Sequence, residues 1–94
     1  MSWLEIIELR TVNNSHKRLE SKIKKILDEF HETASGHMTK IYNRVGLNSD
    51  ISIHIIHNSE NAEINGSIEG FQLVTALKEF GLTNHSIWVE KSGE

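Results

Sequence analysis

Four short segments of the chain carry apolar residues at every second position or nearly throughout, and both patterns indicate β-strands. The segments span residues 3–10, 37–45, 51–57 and 84–90. The first, WLEIIELR, is rich in large and β-branched side chains and is too short for a typical helix. The second and third are separated only by the turn-forming residues 46–50, GLNSD, so we expect them to form a β-hairpin.

A longer segment between the first two strands repeats its apolar residues at the spacing of an α-helix. The apolar stripe contains Leu19, Ile23, Ile26, Leu27 and Phe30. Asn14 or Ser15 can cap the start of this helix by accepting a hydrogen bond from a free backbone N–H, and Gly36 is placed to end it. Lysines and acids occupy the remaining positions, so the pattern predicts an amphipathic helix.

A second helical pattern follows the third strand. Its apolar positions are Ile68, Phe71, Val74, Leu77 and Phe80. Ser67 directly precedes them and belongs to the residue types that favour helix starts. At the other end, Gly81 is expected to adopt the left-handed conformation, with Leu82 folded back onto Leu77.

The predicted elements follow the order β-α-β-β-α-β within a single domain that spans residues 1–94. This order is typical of an α+β, ferredoxin-like sandwich, in which two helices cover one face of a four-stranded antiparallel sheet. Many functions share this architecture, so the fold alone does not select one.

Strand alternation assigns side chains to the two faces of the sheet. Ile53 and His57 of the third strand are expected to face the helices, and His54 the opposite side. In the second strand, Val45 is expected to point inward and Tyr42 outward. The first strand is apolar on both sides, so its facing cannot be determined from the pattern.

The composition excludes several kinds of site and partner. Cysteine is absent, which removes disulfides, thiolate metal ligands and cysteine nucleophiles. The 10 basic and 13 acidic residues give a formal net charge of −3, which argues against nucleic acid as a partner. No apolar run approaches the length of a membrane span, and the N-terminal segment carries acids where a signal peptide has basic residues. We therefore expect a cytoplasmic protein that does not bind membranes.

The histidines of the third strand do not form a metal-binding pair. His54 and His57 are three residues apart and lie on opposite faces, whereas a chelating pair on a strand needs an even separation. We interpret His57 as an exposed or helix-edge residue at the strand end. With no HExxH motif and no glycine-rich phosphate loop, the sequence predicts neither a metal nor a cofactor.

The uncovered face of the sheet is expected to mediate association. It includes Tyr42, Ile56, Trp88 and one apolar pair from the first strand. Neighbouring apolar and aromatic residues of this kind are usually covered in a small protein. We therefore expect a homodimer formed through this face.

The layout resembles the dimeric α+β barrel superfamily, in which two ferredoxin-like subunits pack sheet against sheet, and within it the antibiotic biosynthesis monooxygenase family. The resemblance runs through WLEIIELR, the long helix, the hairpin ending in ISIHIIH, and GFQLVTALKEFGLTNHSIWVE. It implies a homodimer and, for some members, cofactor-independent oxygenation of aromatic substrates. Haem-degrading members carry a histidine on the second helix, and here SIEGFQLVTALKEF has none, so haem degradation is not expected.

The candidate site combines residues of the uncovered face. His54 is the candidate proton acceptor, and Tyr42 is its hydroxyl partner. Trp88 would form an aromatic wall, and Glu8 or Glu5 would supply an orienting carboxylate. A neutral imidazole in this position can take a proton from a phenol or an activated C–H group.

Two functions remain open on this sequence. The protein is either a monooxygenase-like enzyme or binder of a small aromatic or polyketide-like ligand, or a non-catalytic dimeric module with a regulatory or accessory role. In the second case the same residues are the polar and aromatic filling of a dimer interface. In the first case, loss of His54 should weaken ligand binding or turnover, whereas loss of His57 should have little effect.

Overall fold

The structure, a computed structural model, describes residues 2–11, 16–33, 37–58 and 62–91. Within these ranges the elements follow the predicted order. They are β1 (Trp3–Thr11), α1 (His16–Thr33), β2 (His37–Arg44), β3 (Leu47–His57), α2 (Ile68–Leu77) with a 3₁₀ turn (Lys78–Phe80), and β4 (Gly81–Val89). Neither helix, over the residues described, is long and apolar enough to cross a membrane.

The four strands form one antiparallel sheet in the order β2-β3-β1-β4. Residues of both helices join alternate residues of the central strands in one hydrophobic cluster, so both helices lie on the same face. Its buried members include Leu19 of α1, Leu73 of α2 and Ile53 of β3. The α+β, ferredoxin-like fold expected from the sequence is confirmed.

Burial resolves the facing of β1, which the sequence left open. The residues that point toward the helices are Trp3, Glu5, Ile7 and Leu9. The alternate residues point to the other side of the sheet, which we call the outer face. The predicted facing of the two histidines of β3 is confirmed, because His57 pairs with inward Trp3 and His54 pairs with outward Ile6.

The β2–β3 hairpin has a shorter turn than the sequence suggested. Only Val45 and Gly46 form the turn, and β3 begins at Leu47 instead of Ile51. Gly46 has a φ of 83°, a left-handed conformation that glycine adopts without steric cost. The predicted turn over residues 46–50 is therefore wrong. The inward position of Val45 is also wrong, since this residue is 97% exposed in the turn.

The end of α2 differs from the predicted helix-ending motif. The helix passes through the 3₁₀ turn directly into β4, and Gly81 has an extended φ of 160°. Leu82 is 71% exposed on the outer face, so it does not fold back onto Leu77. Gly81 is needed because a Cβ there would overlap the backbone carbonyl oxygen of Arg10 on β1. The close approach of two strands explains this glycine.

The start of α2 agrees with the prediction, and only part of its apolar pattern is buried. The Ser67 side chain caps the helix by accepting a hydrogen bond from the backbone N–H of Gly70 at 3.0 Å. Of the apolar positions that define its pattern, Leu77 is buried, whereas Ile68 and Phe71 are 73% and 67% exposed. The helix also buries Gly70 and Leu73. The candidate caps of the first helix, Asn14, Ser15 and Gly36, lie outside the described residues.

Candidate active site around Glu5

A carboxylate is buried between the sheet and the start of α2. Glu5 of β1 is 0% exposed. Its Oε2 atom lies 2.6 Å from His57 Nε2, and its Oε1 atom lies 2.9 Å from His85 Nε2. The backbone N–H of Ser67 donates to Oε1 at 3.0 Å, and the Ser67 hydroxyl donates to Oε2. We call Glu5, His57, Ser67 and His85 the Glu5 cluster.

Strand register places the two histidines on either side of Glu5. Glu5 pairs with Ile55 of β3 and with Ile87 of β4. His57 lies two residues after Ile55, and His85 lies two residues before Ile87. Both histidines are therefore diagonal neighbours of Glu5 on the same face, a separation that long side chains can span. Three strands assemble this part of the cluster.

Two glycines allow the start of α2 to approach the carboxylate. A Cβ at Gly70, in the first turn of the helix, would overlap Glu5 Oε1. A Cβ at Gly66 would lie only 2.6 Å from His85 Cε1, and Gly66 also has a positive φ of 84°. Because the backbone comes so close, the N–H of Ser67 takes the place of water as a partner of Glu5. The positive end of the helix dipole adds a favourable field for this charge.

The hydrogen bonds assign the protonation of the cluster. A carboxylate has lone pairs for about four hydrogen bonds, and Glu5 accepts one from each histidine and two from Ser67. An ionised Glu5 cannot donate, so His57 and His85 each carry a hydrogen on Nε2. The Nδ1 atom of a neutral His85 then keeps its lone pair. Among the described residues, none donates to that atom.

Glu5 is ionised despite its burial. Burial alone raises the pKa of this carboxyl group, but hydrogen bonds from Ser67, His57 and His85 outweigh the effect and hold the pKa below its ordinary value. A buried charge destabilises the fold unless it is hydrogen-bonded, so loss of any of these bonds should lower the free energy of unfolding.

The two histidines differ in their surroundings. The His57 ring stacks on Trp3, with ring centroids 4.0 Å apart and planes inclined by 15°, and its side chain is 10% exposed. The His85 side chain lies on the edge strand β4 and is 19% exposed. His85 is therefore the ring of the cluster that a ligand reaches more easily.

The Glu5 cluster has the arrangement of a positioned general base. A buried carboxylate bonded to one imidazole nitrogen fixes the tautomer and orientation of the ring, and it stabilises the imidazolium that forms on proton uptake. Ser67 is not placed to act as a nucleophile, because its hydroxyl donates to Glu5 and accepts from the N–H of Gly70. The cluster therefore supports proton transfer at His85.

Metal ligation has less support in the described ranges. The Nε2 atoms of His57 and His85 are both directed at Glu5 oxygens. Residues 2–11, 16–33, 37–58 and 62–91 contain no group of three or more histidine, aspartate or glutamate side chains arranged to hold a metal ion.

Three of the residues selected from the sequence lie together on the outer face, away from the Glu5 cluster. The rings of Tyr42 and His54 have centroids 4.7 Å apart, and His54 Nε2 lies 3.0 Å from Ser52 Oγ. Tyr42 and Glu8 both pair with Ser52, from opposite sides. Glu8 accepts a hydrogen bond from the Asn84 side chain at 3.3 Å.

The fourth selected residue, Trp88, shares this face but lies apart from the others. It pairs with Leu4, which is four residues along β1 from Glu8, or roughly 13 Å at strand spacing. Its indole N–H donates to Ser86 Oγ at 2.8 Å, and the residue is 56% exposed. The structure does not bring Trp88 next to His54.

Two interpretations of the sequence are wrong. Of the two expectations for His57, the exposed one is wrong: the residue faces the helices, is 8% exposed and is bonded to Glu5. Glu5 does not orient a base on the outer face, because it points toward the helices. Both errors follow from the undetermined facing of the first strand. The signal in the sequence was the spacing of Glu5 with Trp3 and Ile7, which places a charge among large apolar residues of one face.

Replacing Glu5 by glutamine should destabilise the fold while keeping the size of the side chain. The amide NH₂ would face donors that now point at an oxygen, and the buried bonds would be mispaired. We expect the free energy of unfolding at pH 7, measured by urea denaturation, to fall by about 3 kcal/mol. Glu8→Gln, on the outer face of the same strand, is the matched control and should change it by less than about 0.5 kcal/mol.

The difference between wild type and Glu5→Gln should also depend on pH. Because the pKa of Glu5 is lowered in the folded protein, its stabilisation is present above the ordinary carboxyl pKa of 4.5 and is lost as the pH falls through the folded value. The difference should therefore shrink below about pH 4.5. A difference that does not shrink below about pH 4.5, or an equal loss in Glu8→Gln, would contradict this assignment.

Comparison with known proteins supports the fold and not a specific activity. No protein-family model and no curated protein matches the sequence. Among solved structures, the chain is similar to SnoaB, a cofactor-independent oxygenase from Streptomyces nogalater, in a mutant form. The TM-score is 0.70 at 12% identity, over 99% of this chain and 98% of that chain. At this identity the likeness shows a shared α+β, ferredoxin-like fold over nearly the whole of both chains.

Proposed function

We propose that the protein is a small enzyme that takes a proton from a weakly acidic aromatic substrate, with His85 as the acceptor and Glu5 as its positioning carboxylate. The observation that carries this proposal is the burial of an ionised Glu5 against a partly exposed imidazole. Perturbed, fully bonded carboxylates of this kind are common at active sites. Such carboxylates also occur in purely structural roles, so the proposal is tested by the turnover of a His85 variant and not by its stability.

Proton transfer in this proposal uses the free nitrogen of His85. Glu5 holds the Nε2–H, so the lone pair on Nδ1 is available to a phenol or an activated C–H group. The resulting imidazolium remains bonded to the charge of Glu5, which stabilises it in the low dielectric of the interior. His57, stacked on Trp3, supports Glu5 from the other side.

We propose that this proton transfer is the first step of a cofactor-independent oxygenation. The fold shared with SnoaB supports this choice of reaction. Deprotonation makes the substrate carbon electron-rich enough to reduce O₂ directly. A CH₂ group becomes C=O, one oxygen atom enters the product, and the other leaves as water with both hydrogens. The substrate supplies all the electrons, so no metal, flavin or haem is required.

The outer face offers a second candidate site, with the residues selected from the sequence. The contact between His54 and Tyr42 favours it, because a hydroxyl beside an imidazole can share a proton with a ligand. In this alternative Glu8 contacts the ligand, whereas Trp88, roughly 13 Å further along the sheet, does not. If neither site supports turnover, the alternative of a non-catalytic dimeric module applies.

We further propose that two copies associate through the outer face. Four apolar residues form one row across all four strands, which we call the apolar row: Met38, Ile56, Leu4 and Trp88. Met38 and Trp88, at its two ends, are each 56% exposed in the single chain. A continuous apolar row is a surface that a symmetric second copy can cover.

The two candidate sites respond differently to mutation. A thermal-shift screen of small phenols, quinols and polyketide-like acids should first identify a ligand, and oxygen uptake with that ligand then measures turnover. His85→Gln should lower turnover at least about 100-fold, because glutamine can still donate to Glu5 but offers no basic nitrogen. His54→Ala should change turnover less than about twofold. The reverse order would assign the chemistry to the outer face, and no ligand in the screen would favour the non-catalytic module.

Association through the outer face predicts a concentration-dependent dimer. Light scattering at micromolar concentration should give about twice the 10.7 kDa chain mass. Trp88→Ala should weaken the dimer at least about 100-fold, since both copies lose the ring and truncating one buried interface aromatic commonly costs about 3 kcal/mol. Phe71→Ala removes an aromatic ring of comparable exposure from the helix side and should leave the dimer unchanged. A wild-type monomer under these conditions would contradict the proposed interface.

A further inference from the structure

An open depression lies at the other end of the outer face from the apolar row. Its volume is about 490 Å³, within the usual range of small-molecule sites. The polar residues that line it include Arg10, Glu8, Tyr42, Arg44, Asp50 and Asn84. The sheet separates it from the Glu5 cluster, so proton transfer at His85 does not use it.

Two arginines in the depression share one carboxylate. Arg44 Nη1 lies 3.2 Å from Asp50 Oδ2, and Arg10 Nε lies 3.6 Å from Asp50 Oδ1. Each contact engages one nitrogen of a guanidinium that has five N–H donors. Most of these donors thus stay available to a second acceptor, since the described residues give the two arginines no other ion pair. Two guanidinium groups against one carboxylate favour an additional anion.

The other side of the depression carries the negative charge of Glu8. Glu8 lies two residues from Arg10 on the same face of β1, a separation of about 6.7 Å along the strand. It accepts a hydrogen bond from Asn84, and its carboxylate has lone pairs for further donors. A second ligand carboxylate would be repelled there, whereas a hydroxyl group can donate. The Tyr42 ring, 47% exposed, also lines this space.

We propose that the depression binds a small hydroxylated aromatic acid. Its carboxylate is held by Arg10 and Arg44, and its hydroxyl donates to Glu8. Both groups line the same depression of about 490 Å³, which is large enough for a single-ring acid, and Tyr42 supplies an aromatic wall. The site shares Tyr42 and Glu8 with the outer-face alternative, but it requires neither His54 nor any reaction.

Calorimetric titration of the full chain with 4-hydroxybenzoate tests this site. Wild type should show saturable binding with a dissociation constant below roughly 1 mM. Arg44→Gln should weaken binding at least about tenfold, through loss of a charge-assisted contact. Lys40→Gln removes the same charge from an exposed outer-face position of the same strand outside the depression, and it should change affinity less than about twofold. Equal loss in the two variants, or no saturable binding by wild type, would overturn the proposal.

The hydroxyl contact has its own test. Wild type should bind 4-hydroxybenzoate more tightly than benzoate, and Glu8→Ala, which removes the acceptor, should abolish most of that preference. A preference that is absent in wild type or retained in Glu8→Ala would refute the role of Glu8. His85→Gln should bind 4-hydroxybenzoate like wild type, so failure of the proposed catalysis and failure of this site are observed separately.

Discussion

Glu5 carries a negative charge with no exposed surface, and the chain offsets the loss of hydration with four hydrogen bonds. The donors come from β3, from β4 and from the residue that caps α2. The register of two strand pairs and the approach of the helix must therefore be correct together. A one-residue slip of β3 or β4 would turn its histidine to the outer face and leave the buried charge under-bonded. The charge thus favours a single arrangement of the interior.

The same bonds that stabilise the fold orient the proposed base. Ser67 illustrates the coupling, since its hydroxyl both caps α2 and bonds to Glu5. The chemistry of the helix side is therefore inseparable from the packing of α2 against the sheet. The outer face is independent of it: the apolar row is suited to association, and the arginine-lined depression at the opposite end is suited to a polar ligand. Because successive side chains of a strand point to opposite faces, neighbouring residues of β1 contribute to the Glu5 cluster on one side and to the outer face on the other.

Periodicity was sufficient to predict the fold, because each helix and strand carries its own pattern of apolar positions. It also predicted that His54 and His57 lie on opposite faces. Periodicity failed at β1, where both faces are apolar and each carries one glutamate, so nothing local distinguishes Glu5 from Glu8. The bonds that identify Glu5 join it to residues 52 and 80 positions away in the chain. Gly81 was misread for a related reason, since its role depends on the distant strand β1.

The central claim, an ionised Glu5 that holds both imidazoles through Nε2–H, is tested most directly by the nitrogen chemical shifts of the histidine rings. Long-range ¹H–¹⁵N correlation spectra at neutral pH distinguish the two neutral tautomers and the imidazolium. We expect His85 to show a protonated Nε2 and an unprotonated Nδ1, with the same Nε2–H assignment for His57. In Glu5→Gln the His85 ring should lose this fixed tautomer. An Nδ1–H tautomer in wild type, or a tautomer mixture that Glu5→Gln leaves unchanged, would contradict the account.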